Sequence, residues 1–250
     1  MKISLFLENN EIANEIYESG VFDEKTELMS QALMEALLLG KDDLVRLWND
    51  FHFEFSTFLT SAKLHQLYTS SNFSKRILQI VNHFIPNEQY NFERVENYEN
   101  WNQNNFLKSL SNLERKITFD DSVTHREDRS SLDILEEYDS SPFVIEPIKE
   151  LLIWSVLINK PELIEIFLEQ RSSYGLHDRL AIATMYNKLA TAQFSHHTSD
   201  MTESESFKQT GYKYINEAVG IIGESNKADP DKTSVLLRAS CSQWNELSGQ

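Results

Sequence analysis

The sequence predicts an all-α protein, an α-solenoid of degenerate helix–turn–helix repeats. Apolar residues recur at spacings of three and four along most of the chain, which is the period of an amphipathic helix. Glycine and proline are scarce, with 7 and 5 among 250 residues, and this scarcity disfavours turn-rich β-sandwiches and barrels. One helix–turn–helix pattern also occurs three times, which is typical of a repeat protein.

Each copy of this pattern joins an apolar helix end to a second apolar helix through a four-residue polar turn that ends in an acid. The copies span residues 5–16, 37–48 and 156–167, and the first two lie 32 residues apart. This spacing is close to the ankyrin period, although the chain has no ankyrin consensus run. A single copy cannot bury its apolar face, so we expect ankyrin-like repeats that stack side by side.

Residues 1–86 form the first predicted block of helical repeats. Leucine and alanine at helical spacing predict a helix over 26–39, and Gly40 ends it. The acids at Asp42 and Asp43 then open a second helix, since the N-terminal end of a helix favours negative charge. Two further helices are expected, one after a Thr60–Ser61 cap and one over 73–84.

A polar insert, residues 87–145, separates this block from a second helical-repeat block, residues 146–250. Within the insert we expect a short helix over 106–117 and, because 120–141 is mostly charged and hydroxylated, a mobile loop there. The second block opens with the apolar run 151–158. Further helices are expected over 176–194, over 207–222 and from Pro230 onward, with a polar loop at 195–206.

Composition and charge exclude several classes of function. A net charge of −16 argues against a nucleic-acid partner and against broad docking on anionic lipid. The longest apolar stretch covers eight residues, far short of the roughly 20 that a membrane span needs, so we expect no direct membrane span in this chain. A single cysteine permits neither an internal disulfide nor a cysteine metal cluster, and it fits a cytoplasmic setting.

The sequence predicts no enzyme and no catalytic, cofactor-binding or metal-binding residues. The strongest metal candidate is His196-His197 with Asp200 and Glu203 or Glu205, but no second ligand group at helical spacing supports it. A solvated loop is the better interpretation. The chain also lacks a Gly-rich phosphate loop, an H-E-x-x-H motif, an EF-hand loop and a G-x-S-x-G elbow.

Other reactive or aromatic groups have structural interpretations. Cys241 falls in a helical pattern without a base in the same turn, which indicates a structural or surface thiol. Trp48, Trp154 and Trp244 lie on predicted helix faces, so we expect them to pack in the core. The serines and threonines of 122–131 leave room for regulatory phosphorylation, which is a hypothesis.

Three stretches of the sequence resemble one protein family. Residues 29–68 contain ALMEALLL, DLVRLW, FLT and LHQLY, similar to a family pattern A-L-x-x-A-L-L, D-F-V-R/K-L, F-L-T and R-L-x-x-L-Y. The run ELLIWSVL within 148–167 is similar to E-L-L-I-W-A-V-L, and VLL with QWN in 235–245 resembles K-L-L with W-S. The three stretches come in the family's order. The chain thus resembles the cytosolic N-terminal homology region of melastatin-type transient receptor potential (TRPM) cation channels.

The resemblance implies an α-solenoid that packs between a nucleotide-binding-like domain and a transmembrane domain. It also implies contacts with other domains and subunits of a channel tetramer. Both flanking parts lie outside this chain, so no pore, calcium-site or nucleotide-sensing residue is carried over, and we expect a fragment, a truncated product or a short paralogue. The leading hypothesis is a non-catalytic scaffold segment of a cation-permeable channel. The alternative is a free-standing ankyrin-like adaptor that binds protein partners.

Overall fold

A computed structural model of the chain describes residues 27–50, 53, 55–93, 102–118, 146–171, 175–192, 200–238, 240–241 and 247–248. These ranges are all-α apart from one very short strand pair. The helices are α1 (Glu27–Leu39), α2 (Asp42–Asp50), α3 (Phe55–Phe58), α4 (Ser61–Ser70), α5 (Ser74–Phe84), α6 (Gln103–Thr118), α7 (Pro147–Leu157), α8 (Pro161–Glu169), α9 (Gly175–Thr191), α10 (Asp200–Ala228) and α11 (Pro230–Arg238). A 3-10 helix, Pro86–Phe92, follows α5. The first predicted repeat copy, 5–16, and the predicted 120–141 loop with its serines lie outside the described residues.

The short strands lie near the C-terminal end of the chain. Strand β1 (Ser240–Cys241) pairs antiparallel with β2 (Leu247–Ser248), with Cys241 opposite Leu247. The prediction of a helix around Cys241 is therefore wrong, because α11 ends at Arg238 and Cys241 lies in a β-strand. Trp244, expected on the same helix, lies outside the described ranges.

The turns α1–α2 and α7–α8 share one backbone geometry. Gly40 ends α1 with φ 66, and Asn159 stands at the matching place after α7 with φ 55. The lysine that follows, Lys41 or Lys160, donates its backbone N–H to the carbonyl five residues back, at 2.9 and 3.0 Å. This left-handed helix ending is one that glycine and asparagine tolerate best, which explains the polar turn seen in the sequence.

These two helix pairs lie side by side. Helix α2 packs against α8, and the Lys160 ammonium lies 3.9 Å from the Asp42 carboxylate between the two turns. Residues in α5 and just before it donate hydrogen bonds to carbonyl groups near the C-terminal ends of α1 and α7, the first helix of each pair. Asn72 donates its backbone N–H to the Leu38 carbonyl at 3.2 Å, and the Arg76 side chain donates to the Leu157 carbonyl at 2.8 Å.

Helix α7 lies at the centre of one continuous hydrophobic core. Every residue from Lys149 to Leu157 is buried, and α7 contacts α3, α4, α5, α8 and α9. Trp154 is completely buried and donates its indole N–H to the Leu67 carbonyl at 3.2 Å. Trp48 is buried as well, so the prediction of core packing is confirmed for these two tryptophans.

The predicted cap and the predicted insert helix are both present. Thr60 accepts a hydrogen bond from the Lys63 backbone N–H at 3.3 Å and so begins α4. Helix α6, expected as a short helix within the polar insert, runs for 16 residues. Its apolar side joins the core against α4, α5 and α9, through Phe106, Leu110, Leu113 and Ile117.

Helix α10 begins earlier than the sequence predicts. A polar loop is expected through Ser206, whereas the helix starts at Asp200 and continues for 29 residues. Its first turns are held from outside the helix, since Ser204 donates to the Ala190 carbonyl at 2.7 Å and Glu203 forms an ion pair with Arg76. Of all the helices in the described ranges, none is at once long enough and apolar enough to cross a bilayer.

Candidate functional site

The residues of the predicted metal candidate are divided between different environments. His196 and His197 lie outside the described residues. Glu203 is engaged by Arg76, and Glu205 is exposed on α10. Among the described residues, no group of three or more His, Cys, Asp or Glu side chains could hold a metal ion.

The first turn of α7 carries a buried polar junction, which sequence reasoning did not find. Pro147 starts the helix, and the apolar run that follows is buried on all sides, so the polar residues of the first turn are drawn into the interior with it. The Lys149 ammonium lies 2.8 Å from the Glu114 carboxylate of α6, and both side chains are buried. Each of these charges therefore depends on the other for compensation.

Glu150 is the most deeply buried carboxyl group of this junction. Its side chain is 0% exposed, and neither carboxylate oxygen has a hydrogen-bond partner among the described residues. Burial, together with the nearby Glu114 carboxylate, raises the pKa of Glu150 to about 8, while Lys149 opposes the rise. Burial also raises the pKa of the Glu114 carboxyl, with Lys149 again acting in the opposite direction.

Tyr68 of α4 completes the junction. Its hydroxyl is buried and has no hydrogen-bond partner within the described ranges. Burial raises the pKa of this phenol, and the negative charges of Glu150 and Glu114 raise it further. Tyr68 therefore stays neutral and contributes no charge that could compensate Glu150.

A second buried cluster joins the ends of three helices through Arg171. Its guanidinium donates to the Asp178 carboxylate of α9 at 2.9 Å and to Glu146, just before α7, at 2.5 Å. Asp178 is completely buried, and Arg171 is 6% exposed. Burial lowers the pKa of Arg171, but Asp178 and Glu146 outweigh it, so the net shift is upward. The cluster fixes the α7–α8 pair against the start of α9.

Polar contacts also hold α10 against α8 and α9. The rings of Tyr186 and Tyr214 are stacked, with centroids 6.2 Å apart and planes 9° apart. The Tyr214 hydroxyl donates to Glu165 of α8 at 3.1 Å, and the Lys213 ammonium donates to the same carboxylate at 2.6 Å. One side of α10 is therefore fixed to the rest of the helical body.

The other side of α10 carries an apolar stripe that faces solvent. Tyr212 is 61% exposed and Val219 is 60% exposed, while Ile215 and Ile222 are half-buried. Their spacings of three, four and three residues are those of a seam along which two helices pair. We call these four residues the outer stripe, and an exposed apolar stripe of this kind is the type of surface that binds another protein.

Comparison with known families gives a match over nearly the whole chain. The family model described as the TRPM2-like domain matches residues 15–249. The matched range includes every helix from α1 to α11, both buried polar clusters and the outer stripe. It also includes the three stretches 29–68, 148–167 and 235–245 that carry the resemblance noted from the sequence.

Proposed function

Because the chain belongs to the TRPM2-like domain family and is a TRPM-type N-terminal homology region, we propose that it is a non-catalytic scaffold segment of a TRPM-like, cation-permeable channel. The observation that carries this proposal is the family match over 15–249. The segment would lie on the cytoplasmic side of the membrane, with the pore supplied by another part of the parent channel. A tetrameric, calcium-permeable parent is part of the same proposal and rests on the family alone.

The scaffold would act by presenting rigid helix surfaces to other domains and subunits of the channel. The outer stripe supports this role, because its apolar residues project from a helix whose opposite side is fixed by Tyr214, Lys213 and Glu165. A rigid helix with an exposed apolar seam loses little conformational freedom when a partner binds.

The repeat architecture is a further part of the proposal. The matching turns at Gly40 and Asn159 and the packing of α2 against α8 support a pair of degenerate ankyrin-like repeats. We propose that residues 5–16 supply a third copy, and that blocks 1–86 and 146–250 are two repeat blocks flanking the insert 87–145.

Two experiments test the scaffold function. Sequencing of the complete transcript should reveal six apolar spans encoded downstream of Gln250, and a stop codon with no such exon would contradict the channel assignment.

In the parent channel, Val219→Asp should lower the fraction of tetramer on a native gel, because it places a charge on the outer stripe. Ser206→Asp, at an exposed position on another face of the same helix, is the matched control and should leave assembly unchanged.

A free-standing adaptor is the second candidate, and the outer stripe favours it as well. An adaptor would use this seam to bind an amphipathic helix of another protein. The two candidates differ in the transcript: an adaptor requires an open reading frame without downstream apolar spans.

A further inference from the structure

We propose that the buried junction of α4, α6 and α7 is a proton-binding site, in which the Glu150 carboxyl holds a proton at neutral pH and releases it, weakening the junction, as the pH rises. This inference concerns the stability of the folded chain and does not depend on the channel assignment. It rests first on where the carboxyl group lies and on what surrounds it.

The surroundings of Glu150 favour its neutral form. The side chain is 0% exposed, and neither oxygen has a hydrogen-bond donor among the described residues. A buried carboxylate without donors or a dedicated cation is far less stable than the protonated acid. Lys149 binds Glu114 at 2.8 Å, so its single charge acts on two carboxyl groups and compensates Glu150 only in part.

At the start of α7, the carboxyl groups outnumber the cations: Glu114, Glu146, Glu150 and Asp178 lie there with Lys149 and Arg171. Four carboxyl groups share two cations in this region, so ionised Glu150 would add an uncompensated negative charge. The charged and titratable groups that face Glu150, directly or through Glu146, are Glu114 of α6, Tyr68 of α4, Glu146 and Lys149 at the start of α7, and the Arg171–Asp178 pair between α8 and α9. Arg76 of α5 binds the opposite end of α7, at the Leu157 carbonyl.

The direction of the pH effect follows from linkage. Burial raises the pKa of Glu150 from 4.5 to about 8. Between these values the folded chain holds a proton that the unfolded chain has released, so stability decreases as the pH rises through this range and levels off above it. One such proton lowers the folding equilibrium constant about tenfold per pH unit.

Another buried group, His65 of α4, acts in the opposite direction at lower pH. Burial lowers its pKa from 6.5 to about 4, so it makes the folded chain less stable as the pH falls through that range. The two effects oppose each other below pH 6.5. The range from pH 6.5 to 8 therefore largely excludes the contribution of His65.

The test is urea unfolding of the 250-residue chain at pH 6.5 and pH 8. For the wild type we expect the folding equilibrium constant to fall on the order of tenfold between these values. Glu150→Gln, a neutral side chain of the same shape, should remove most of this change. Glu162→Gln, at an exposed position on α8, is the matched control and should keep it. A wild type without pH dependence, or a Glu150→Gln variant that retains it, overturns the proposal.

Infrared spectroscopy of the wild type provides a second measurement that needs no variant. Folded protein with ¹³C-labelled glutamate should show the carbonyl band of a protonated glutamic acid at pH 6.5. The band should disappear at alkaline pH while the helical amide signal persists. A folded protein without this band at pH 6.5 overturns the proposal even if Glu150→Gln fails to fold.

Discussion

Buried ionisable residues in this protein either pair with an opposite charge or have a pKa that favours the neutral form. Arg171 and Asp178 are both buried and compensate each other at 2.9 Å. Glu150, buried to the same degree, has no such partner among the described residues, and its pKa rises instead. The difference arises because a buried charge is stable only with an opposite charge or a full set of hydrogen bonds.

Removal of Arg171 should therefore be costly. Arg171→Met leaves Asp178 buried without its cation, and we expect the free energy of unfolding to fall by about 3–5 kcal/mol. Urea unfolding at pH 7 measures this change. Arg46→Met, which breaks the exposed Arg46–Glu169 pair at 3.6 Å, is the control and should cost about 1 kcal/mol or less. Equal losses in the two variants would show that the Arg171 cluster gains nothing from its burial.

His65 should give the folded chain a dependence on acid. Its imidazole is buried edge-on against Phe106, with ring centroids 4.8 Å apart, and burial lowers its pKa to about 4, against backbone hydrogen bonds with Asn91 and Glu93 that raise it. Between pH 6.5 and pH 4, His65 is protonated in the unfolded chain and neutral in the folded chain. The folded chain therefore becomes less stable as the pH falls through this range.

The variant His65→Gln isolates this effect. Between pH 6.5 and pH 4, its free energy of unfolding relative to wild type should shift by about 3 kcal/mol in favour of the variant. The comparison with wild type cancels the contribution of Glu150, which both proteins share. A difference that stays constant with pH would mean that His65 titrates in the folded chain as it does in the unfolded one.

At the scale of elements, the two matching turns determine where helices stop and restart. Gly40 has φ 66, and a Cβ at this position would lie 2.8 Å from the ring of Phe73. Asn159, in the equivalent turn, has φ 55 and tolerates it with a side chain present. The turn at Gly40 is thus constrained by its backbone conformation and by the close approach of Phe73, just before α5, whereas Asn159 shows that the backbone conformation alone does not demand glycine.

Two glycine-to-alanine substitutions should have opposite effects. We expect Gly40→Ala to lower the free energy of unfolding by about 1–3 kcal/mol, because it adds a side chain at positive φ and against an aromatic ring. Gly220→Ala lies in the helix α10, with open space around its Cβ position, and should raise stability by about 0.5–1 kcal/mol. Thermal unfolding of both variants measures the two signs. Stabilisation by Gly40→Ala would contradict the close contact with Phe73.

At the scale of the whole molecule, one core joins helices that are far apart in the sequence. Helix α2 packs on α8, α6 packs on α9, and α7 contacts helices from both predicted blocks. The family resemblance seen in residues 29–68 and 148–167 is confirmed by the match over 15–249, and both stretches contribute to this shared core. Burial of this core contributes most of the stability of the fold.

Local pattern was sufficient for much of the fold. The all-α class, the helices around 27–39, 103–118 and 175–191, the cap at Thr60 and the turns at Gly40 and Asn159 all follow from the sequence. Each depends on residues a few positions apart, whose spacing and conformational preferences act within one helix or one turn. The family was recognisable for the same reason, since its motifs are short runs.

Only the tertiary structure determines which helix faces are exposed and which ionisable side chains are buried. The sequence groups Tyr212, Tyr214, Val219 and Ala218 on one helix, but only packing against α8 and α9 leaves Tyr212 and Val219 in solvent and buries the other two. Similarly, Glu150 is an ordinary helix residue until the packing of distant helices buries it. Exposure and pKa depend on which distant elements surround a side chain, and the spacing of residues along a single helix carries no information about those neighbours.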